Sequence, residues 1–359
     1  MPASAADAAK SSAQAARVRA RAIGIAPGTY EPGLLNAITD VDGVRVGQVT
    51  LIIGESTRTG VTAVLPHAGN LFQDKVPAGL AVANGFGKLA GATQILELGE
   101  IETPIVLTNT LAVGRAVEAV VDWTLRQPGN ERVKSVNAVV GETNDGTLND
   151  IRRRGVRGEH VVAAIEQARA GAVEEGAVGA GTGTIAFGSK GGIGTSSRRV
   201  PAQTESYAVG VLVQTNFGGT LNLDGAPVDG SIMIVIATDA PLSDRNLVRL
   251  ARRAFAGLAR SGAAFSNGSG DYALAFSTAR DARRTATVRS TLTKVSELPN
   301  DQMSPLFVAV ADATEEAIYN SLLMATSMSS IDAATGQQVQ VEAIDAAAVR
   351  SAIERRRKR

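Results

Sequence analysis

Asn222-Leu-Asp-Gly-Ala-Pro-Val-Asp-Gly230 runs directly into Ser231-Ile-Met-Ile-Val-Ile-Ala-Thr-Asp239, so a polar, turn-rich loop gives way in one step to an apolar strand. Residues 232–237 carry no polar side chain and are dominated by β-branched isoleucine and valine, which reads as a buried strand. Ser231 stands at the junction. A serine there is by itself an ordinary turn or strand-start residue; the chemistry of the rest of the chain makes it a candidate nucleophile.

Outward from this junction, short β-rich runs alternate with longer Ala/Leu/Arg-rich runs, which predicts an α/β or α+β architecture. Strands are expected at residues 43–53, 104–108, 136–140, 207–214, 232–238, 272–277 and 307–311, and helices at 110–126, 151–170, 243–260 and 315–325. The helix at 243–260 is the clearest. Pro241 ends the preceding strand, Ser243 can cap the first amides, and Leu247, Leu250, Ala251, Ala254, Phe255 and Leu258 share one face opposite Arg245, Arg249, Arg252 and Arg260. The glycine-rich segment 178–197 also carries Phe187, Lys190 and Ile193, so it reads as tightly packed backbone rather than a linker. Residues 1–24 are expected to be a disordered leader and residues 25–359 a single catalytic domain, with a frayed basic tail at 354–359.

With 359 residues, 44% hydrophobic composition and a formal net charge of +1, nothing in the bulk charge favours nucleic acid or an anionic membrane, and no apolar run is long enough to span a bilayer. The expected partner is a small molecule. There is no cysteine, which removes thiolate chemistry, and only His67 and His160 are available as imidazoles. A serine nucleophile therefore needs another base. A backbone break before Ser231 would free an α-amine with an ordinary pKa of about 7.7–8.0, suited to take the hydroxyl proton directly or through a water. Gly230 suits such a break, because it leaves its carbonyl open to the neighbouring hydroxyl.

In this respect the chain resembles the DmpA-like peptidases, the family of L-aminopeptidase/D-esterases and bacterial β-peptidyl aminopeptidases. The matching stretches are Asn36-Ala-Ile-Thr-Asp-Val-Asp-Gly-Val-Arg-Val-Gly47, Leu107-Thr-Asn-Thr-Leu-Ala-Val-Gly114, Val140-Gly-Glu-Thr-Asn-Asp-Gly146, Gly179-Ala-Gly-Thr-Gly183, Lys190-Gly-Gly-Ile-Gly-Thr-Ser-Ser-Arg198, Val211-Leu-Val-Gln-Thr-Asn216, Gly230-Ser231 and Asn267-Gly-Ser-Gly-Asp271. They occur in one order across nearly the whole chain beyond residue 25. The resemblance implies an α+β fold, a four-layer αββα sandwich like that of N-terminal-nucleophile hydrolases with DmpA-type connectivity. It also implies autocleavage between Gly230 and Ser231 into an α chain of residues 1–230 and a β chain of residues 231–359. By the same resemblance Ser231 is the nucleophile, Asn216 the side-chain donor of the oxyanion hole, Ser269 and Asp271 the pair that orients the serine and its amine, and Glu142 the carboxylate that holds the substrate's ammonium group. No metal or organic cofactor is implied. The implied substrates are β-peptides, small peptides or amino-acid amides, and the implied assembly is a homo-oligomer of αβ units, often a tetramer.

The loop between Asn216 and Ser231 is short for such proteins, Gly218-Gly219 suggests a tight hairpin, and Thr147 stands where an aromatic wall residue could be. A D- or L-α-aminopeptidase/esterase is the alternative within the family. An ornithine-acetyltransferase-like acyltransferase is a rival outside it, though such proteins begin their β chain with threonine. Gly85-Phe-Gly-Lys-Leu-Ala90 approximates a dinucleotide-binding fingerprint but lacks an acidic residue at the required distance. Both cytoplasm and periplasm fit the sequence.

Overall fold

The computed structural model describes residues 17–202, 206–218 and 231–357. Its framework is two β-sheets packed face to face, with a pair of helices on each outer face. The larger sheet is ordered β6 (Ile193–Pro201), β7 (Ser206–Asn216), β8 (Ser231–Thr238), β9 (Gly270–Ser277), β3 (Asp74–Gly85) and then the short strand Arg284–Thr285, with Glu100–Ile101 also pairing on β3. The smaller sheet is ordered β1 (Arg45–Ile53), β2 (Thr57–Leu65), β4 (Ile105–Asn109), β5 (Val139–Thr143) and Leu89–Ala90. Each sheet contains one parallel pair, β8 with β9 and β4 with β5, and each pair is joined by a crossover helix, α3 (Asp244–Ser261) and α1 (Val113–Leu125) respectively. Parallel neighbours require such a crossover, and the helix then covers the sheet it came from. The result is the expected four-layer αββα sandwich.

The apolar run after Ser231 is explained by this layering. Ile232, Ile234 and Ile236 face α3 and α4 (Met303–Leu323), whereas Met233, Val235 and Ala237 face the other sheet. A strand buried on both faces loses the alternation that a half-exposed strand would show. On the other outer face, Val61, Val106 and Val140 pack against Ala116, Val120, Val161 and Ile165 of α1 and α2 (Gly158–Glu166). Between the sheets, Gln214 Nε2 of β7 lies within hydrogen-bond reach of the Thr108 and Ala180 carbonyls and of Thr143 Oγ1, a polar tie across the interface.

Several sequence expectations change here. Residues 307–311 are part of helix α4 rather than a strand. That helix is buried almost all round, with Asp312, Thr314, Glu316 and Asn320 inside it, so its Phe307-Val-Ala-Val-Ala311 run has no polar stripe to reveal a helical period. The expected 151–170 helix is divided into a 3₁₀ turn at Ile151–Arg153 and α2, because Arg154 takes a left-handed backbone conformation. Strand 136–140 shifts to Val139–Thr143, which brings Glu142 onto regular sheet. Ser243 occupies the N-cap position of α3, but its hydroxyl bonds the Glu297 carboxylate and caps no amide.

The leader boundary also moves. Residues 17–24 belong to the fold: Ala20 and Ile23 are buried, Arg19 pairs with Glu175 at 2.8 Å, and Arg21 pairs with Glu316 at 3.0 Å. Glu316 is simultaneously held by Arg198 at 2.7 Å, with both side chains fully buried. The partners of these arginines lie far away in sequence, so a local reading sees only scattered basic residues. Of the described helices, none is long and apolar enough to cross a membrane.

Helices α3 and α4 cross at Gly257, where a Cβ would stand 2.2 Å from the Ala311 carbonyl oxygen. That neighbour is backbone and cannot step aside. Gly257→Ala is expected to destabilise the protein by about 1–3 kcal/mol, read as a lowered thermal midpoint.

Candidate active site

The strand registers bring the predicted residues together. In the antiparallel β7–β8 pair Asn216 is directly opposite Ser231, and in the parallel β8–β9 pair Ile232 is opposite Asp271. The nucleophile candidate, the amide and the acid therefore sit at one end of three adjacent strands. This end opens into a cavity of about 570 Å³ whose wall includes Ser231, Asn216, Glu142, Phe217, Ile185 and Thr147. Gly230 and the loop before it lie outside the described residues, as does Gly219 of the expected hairpin.

Ser231 is 9% exposed, and its Oγ accepts a hydrogen bond from the Gly270 amide at 3.0 Å. The backbone just beyond β3 also packs directly on Gly270, where a Cβ would stand 2.7 Å from the Gly87 nitrogen. The β3–β9 register slips between Asp271 and Tyr272, which face Asn84 and Val82, so Ala83 is the extra residue of a bulge beside the site. Bulges of this kind re-aim side chains at the ends of sheets. Asp271 is buried, its Oδ1 accepts from Ser269 Oγ at 2.6 Å, and its Oδ2 has no hydrogen-bond partner among the described residues. Burial raises the Asp271 pKa to about 6, opposed by the Ser269 hydroxyl and the nearby Ile232 amide.

Glu142 lines the same cavity with 3% of its surface exposed. Its Oε1 accepts from the Lys88 amide at 2.9 Å and its Oε2 accepts from the Thr110 hydroxyl. A carboxylate buried with two neutral donors keeps unspent attraction for a cation in the cavity. On the opposite wall, Asn216 Oδ1 accepts from the Ile185 amide at 3.0 Å, which leaves Nδ2 as the end of the amide available to the cavity.

Two residues behind this wall had no assigned role in the sequence. Lys190 is completely buried, and its ammonium donates to the carbonyls of Gly181, Thr184 and Gly191 at 3.0, 2.8 and 2.8 Å. These carbonyls bracket Ile185, so Lys190 gathers the turn that orients Asn216. Asp145, three positions beyond Glu142, bonds Asn149 at 2.9 Å and is the nearby opposite charge. Burial lowers Lys190 to about 7 and raises Asp145 to about 7, each partly offset by the other's charge. A lone lysine inside a glycine-rich apolar segment was the available signal; its acidic counterpart is distant in sequence. The Gly85–Ala90 segment, with its weak likeness to a dinucleotide fingerprint, is instead the end of β3, a turn that puts Phe86 and Lys88 on the cavity wall, and the short strand Leu89–Ala90 of the smaller sheet, followed by a helix of only seven residues. His67 and His160 do not line the cavity. Among the described residues no cluster of three or more His, Asp or Glu side chains is arranged to hold a metal ion.

The model of peptidase family S58 matches residues 36–336 of the sequence. The chain belongs to peptidase family S58. It is 42% identical, over 89% of each chain, to the β-peptidyl aminopeptidase BapA of Sphingosinicella microcystinivorans. Among solved structures, a Burkholderia sp. β-aminopeptidase superposes with a TM-score of 0.86 at 41% identity, covering 94% of this chain and 99% of that one. The L-aminopeptidase D-Ala-esterase/amidase of Ochrobactrum anthropi, described as a variant of the N-terminal-nucleophile hydrolase fold, gives a TM-score of 0.86 at 36% identity, covering 94% and 98%. The S58 fold expected from the sequence is thus the fold of this chain.

Two measurements follow from this S58 site. Lys190→Met deprives three buried carbonyls of their shared donor and is expected to lower stability by about 1–3 kcal/mol, seen as a shift in the thermal midpoint. Asp271 carries the opposite sign. Its folded pKa of about 6 lies above the ordinary 3.8, so its contribution to stability is complete below the ordinary value and is lost as pH rises through about 6. Compared in the Ser231→Ala background, where no α-amine is freed beside the carboxylate, Asp271→Asn should therefore raise the thermal midpoint at about pH 7, with the difference closing towards about pH 4.

Proposed function

We propose that this S58 member is a self-processed serine aminopeptidase that removes the first residue from β-peptides and small β-amino-acyl amides. The observation that carries the reading is the convergence, in one cavity, of Ser231 at the first position of a strand, Asn216 directly across from it, and the buried carboxylate of Glu142. The identity to relatives named β-peptidyl aminopeptidases favours β-amino-acyl substrates over α-amino-acyl ones.

In this mechanism the chain breaks before Ser231, and the new α-amine serves as the base for the Ser231 hydroxyl. The unpartnered Oδ2 of Asp271 offers that amine an acceptor, while Ser269 fixes the other carboxylate oxygen. The Gly270 amide holds Ser231 Oγ in position. A substrate binds with its ammonium on Glu142, and Ser231 Oγ attacks the carbonyl of the first residue. Asn216 Nδ2 donates to the oxygen as it gains negative charge, which is where such a donor acts most strongly. Collapse expels the shortened peptide or amine, which takes a proton from the Ser231 ammonium. Water then attacks the ester and gives a proton to the α-amine, which passes it to Ser231 Oγ as that oxygen leaves, so the first residue is freed and the hydroxyl and amine are restored. Seating the substrate's amine on a buried carboxylate makes the enzyme exo-acting, because an internal peptide bond presents no ammonium to Glu142.

Intact mass under denaturing conditions, with N-terminal sequencing, should give a fragment beginning Ser231-Ile-Met-Ile, and Ser231→Ala should remain full-length and inactive. Glu142→Gln should still be cut but lose about 10- to 100-fold in kcat/KM on β-alanyl-p-nitroanilide, mainly through KM. A chain that stays full-length, or a cut chain that hydrolyses only D- or L-α-alanyl amides, would contradict the proposal.

A further inference from the structure

The cavity wall carries two charged side chains among the described residues, and they are neighbours: Lys88 Nζ lies 4.0 Å from Glu142 Oε1. They differ in freedom. Glu142 is buried and held at both oxygens, whereas the Lys88 side chain is 54% exposed, with its ammonium 5.9 Å from the centre of the Phe86 ring. Lys88 is anchored at its backbone, where its amide donates to the same Glu142 oxygen. The ammonium can thus swing while its root stays fixed beside the carboxylate.

This pairing constrains what binds. A substrate that brings only an ammonium to Glu142 places a second cation next to Lys88 and leaves two positive charges sharing one carboxylate. A substrate that carries an ammonium and a carboxylate on the same carbon meets both charges with their complements. Such a residue can be cleaved by this site only when the scissile carbonyl is a third group, separate from that free carboxylate.

We propose that the Glu142–Lys88 pair selects N-terminal residues linked through a side-chain carboxyl, with the β-aspartyl residue as the preferred case. The inference rests on the β-amino-acyl reading above. A β-aspartyl residue has the β-alanyl skeleton, nitrogen, two carbons and then the scissile carbonyl, with a carboxylate added on the nitrogen-bearing carbon. Its ammonium reaches Glu142 as in a β-alanyl substrate, and its carboxylate points to Lys88. Hydrolysis consumes one water: Ser231 Oγ forms an ester with the side-chain carbonyl as the amide C–N bond breaks and the amine leaves protonated. Water then cleaves the ester and releases free aspartate.

The test compares β-aspartyl-p-nitroanilide, γ-glutamyl-p-nitroanilide and β-alanyl-p-nitroanilide as substrates of the purified, processed protein and of Lys88→Gln and Lys88→Glu. The parent should favour β-aspartyl over β-alanyl in kcat/KM by about tenfold or more, the scale of one charge-assisted hydrogen bond. The γ-glutamyl compound, one carbon longer, should fall below β-aspartyl. Lys88→Gln should erase the β-aspartyl to β-alanyl preference, and Lys88→Glu should invert it. High salt should shrink the preference in the parent and leave it unchanged in Lys88→Gln. Cleavage of β-alanyl without a β-aspartyl preference, or a preference that survives in Lys88→Gln, overturns the inference and leaves the aminopeptidase reading standing. Failure to cleave any of the three amides overturns both.

Discussion

The register of β8 against its two neighbours is the constraint on which the rest of this molecule depends. Antiparallel pairing with β7 sets Ser231 opposite Asn216, and parallel pairing with β9 sets Ile232 opposite Asp271. A slip of one residue on either side would turn the isoleucines of β8 from the helical layer to the sheet interface and carry the polar residues at the strand ends out of line. The apolar core and the site are thus fixed by the same alignment. Because β8 is buried on both faces, no alternative register is cheap.

Around that alignment the site is built from unlike supports. Sheet geometry places Ser231, Asn216 and Asp271, the Gly270 amide reaches Ser231 Oγ beside a bulge on β3, and a buried ammonium organises the turn behind Asn216. The Glu142 end of the cavity is different in kind. Glu142 comes from the other sheet, so the cavity exists only because the two sheets pack with their site-bearing ends together. Burying carboxylates and a lysine so close together costs stability, a cost the surrounding apolar layers offset.

Much of this is legible in the amino-acid sequence. The continuous apolar run after Ser231 announces a doubly covered strand, and the spaced leucines and alanines of α3 announce the face it packs on. The shortage of histidine and cysteine narrows the choice of base. What escapes a reading of the sequence is non-local. Helix α4 hides its period because both of its sides are buried. The arginines of residues 17–21 look unstructured because Glu175 and Glu316 lie far along the chain. Lys190 and Asp145 feel each other's charge only once the chain is folded, and Lys88 acquires meaning only beside Glu142. In each case the residue type is visible and its partner is not.

The strand order of the larger sheet sets what would follow from a cut before Ser231. Of the strands that follow Ser231, β8 and β9 lie in the middle of that sheet, with β7 on one side and β3 on the other, both drawn from the earlier part of the chain, and Arg284–Thr285 pairs on the outer edge of β3. Neither piece owns a complete sheet, so neither has a fold to return to alone. A cut before Ser231 would leave a molecule held together by its interleaved strands, whose assembly ran once, as a single chain, and could be repeated only as a meeting of two. Its persistence in use would then be a matter of how slowly it comes apart, with the uncut precursor as the only carrier of the instructions for building it.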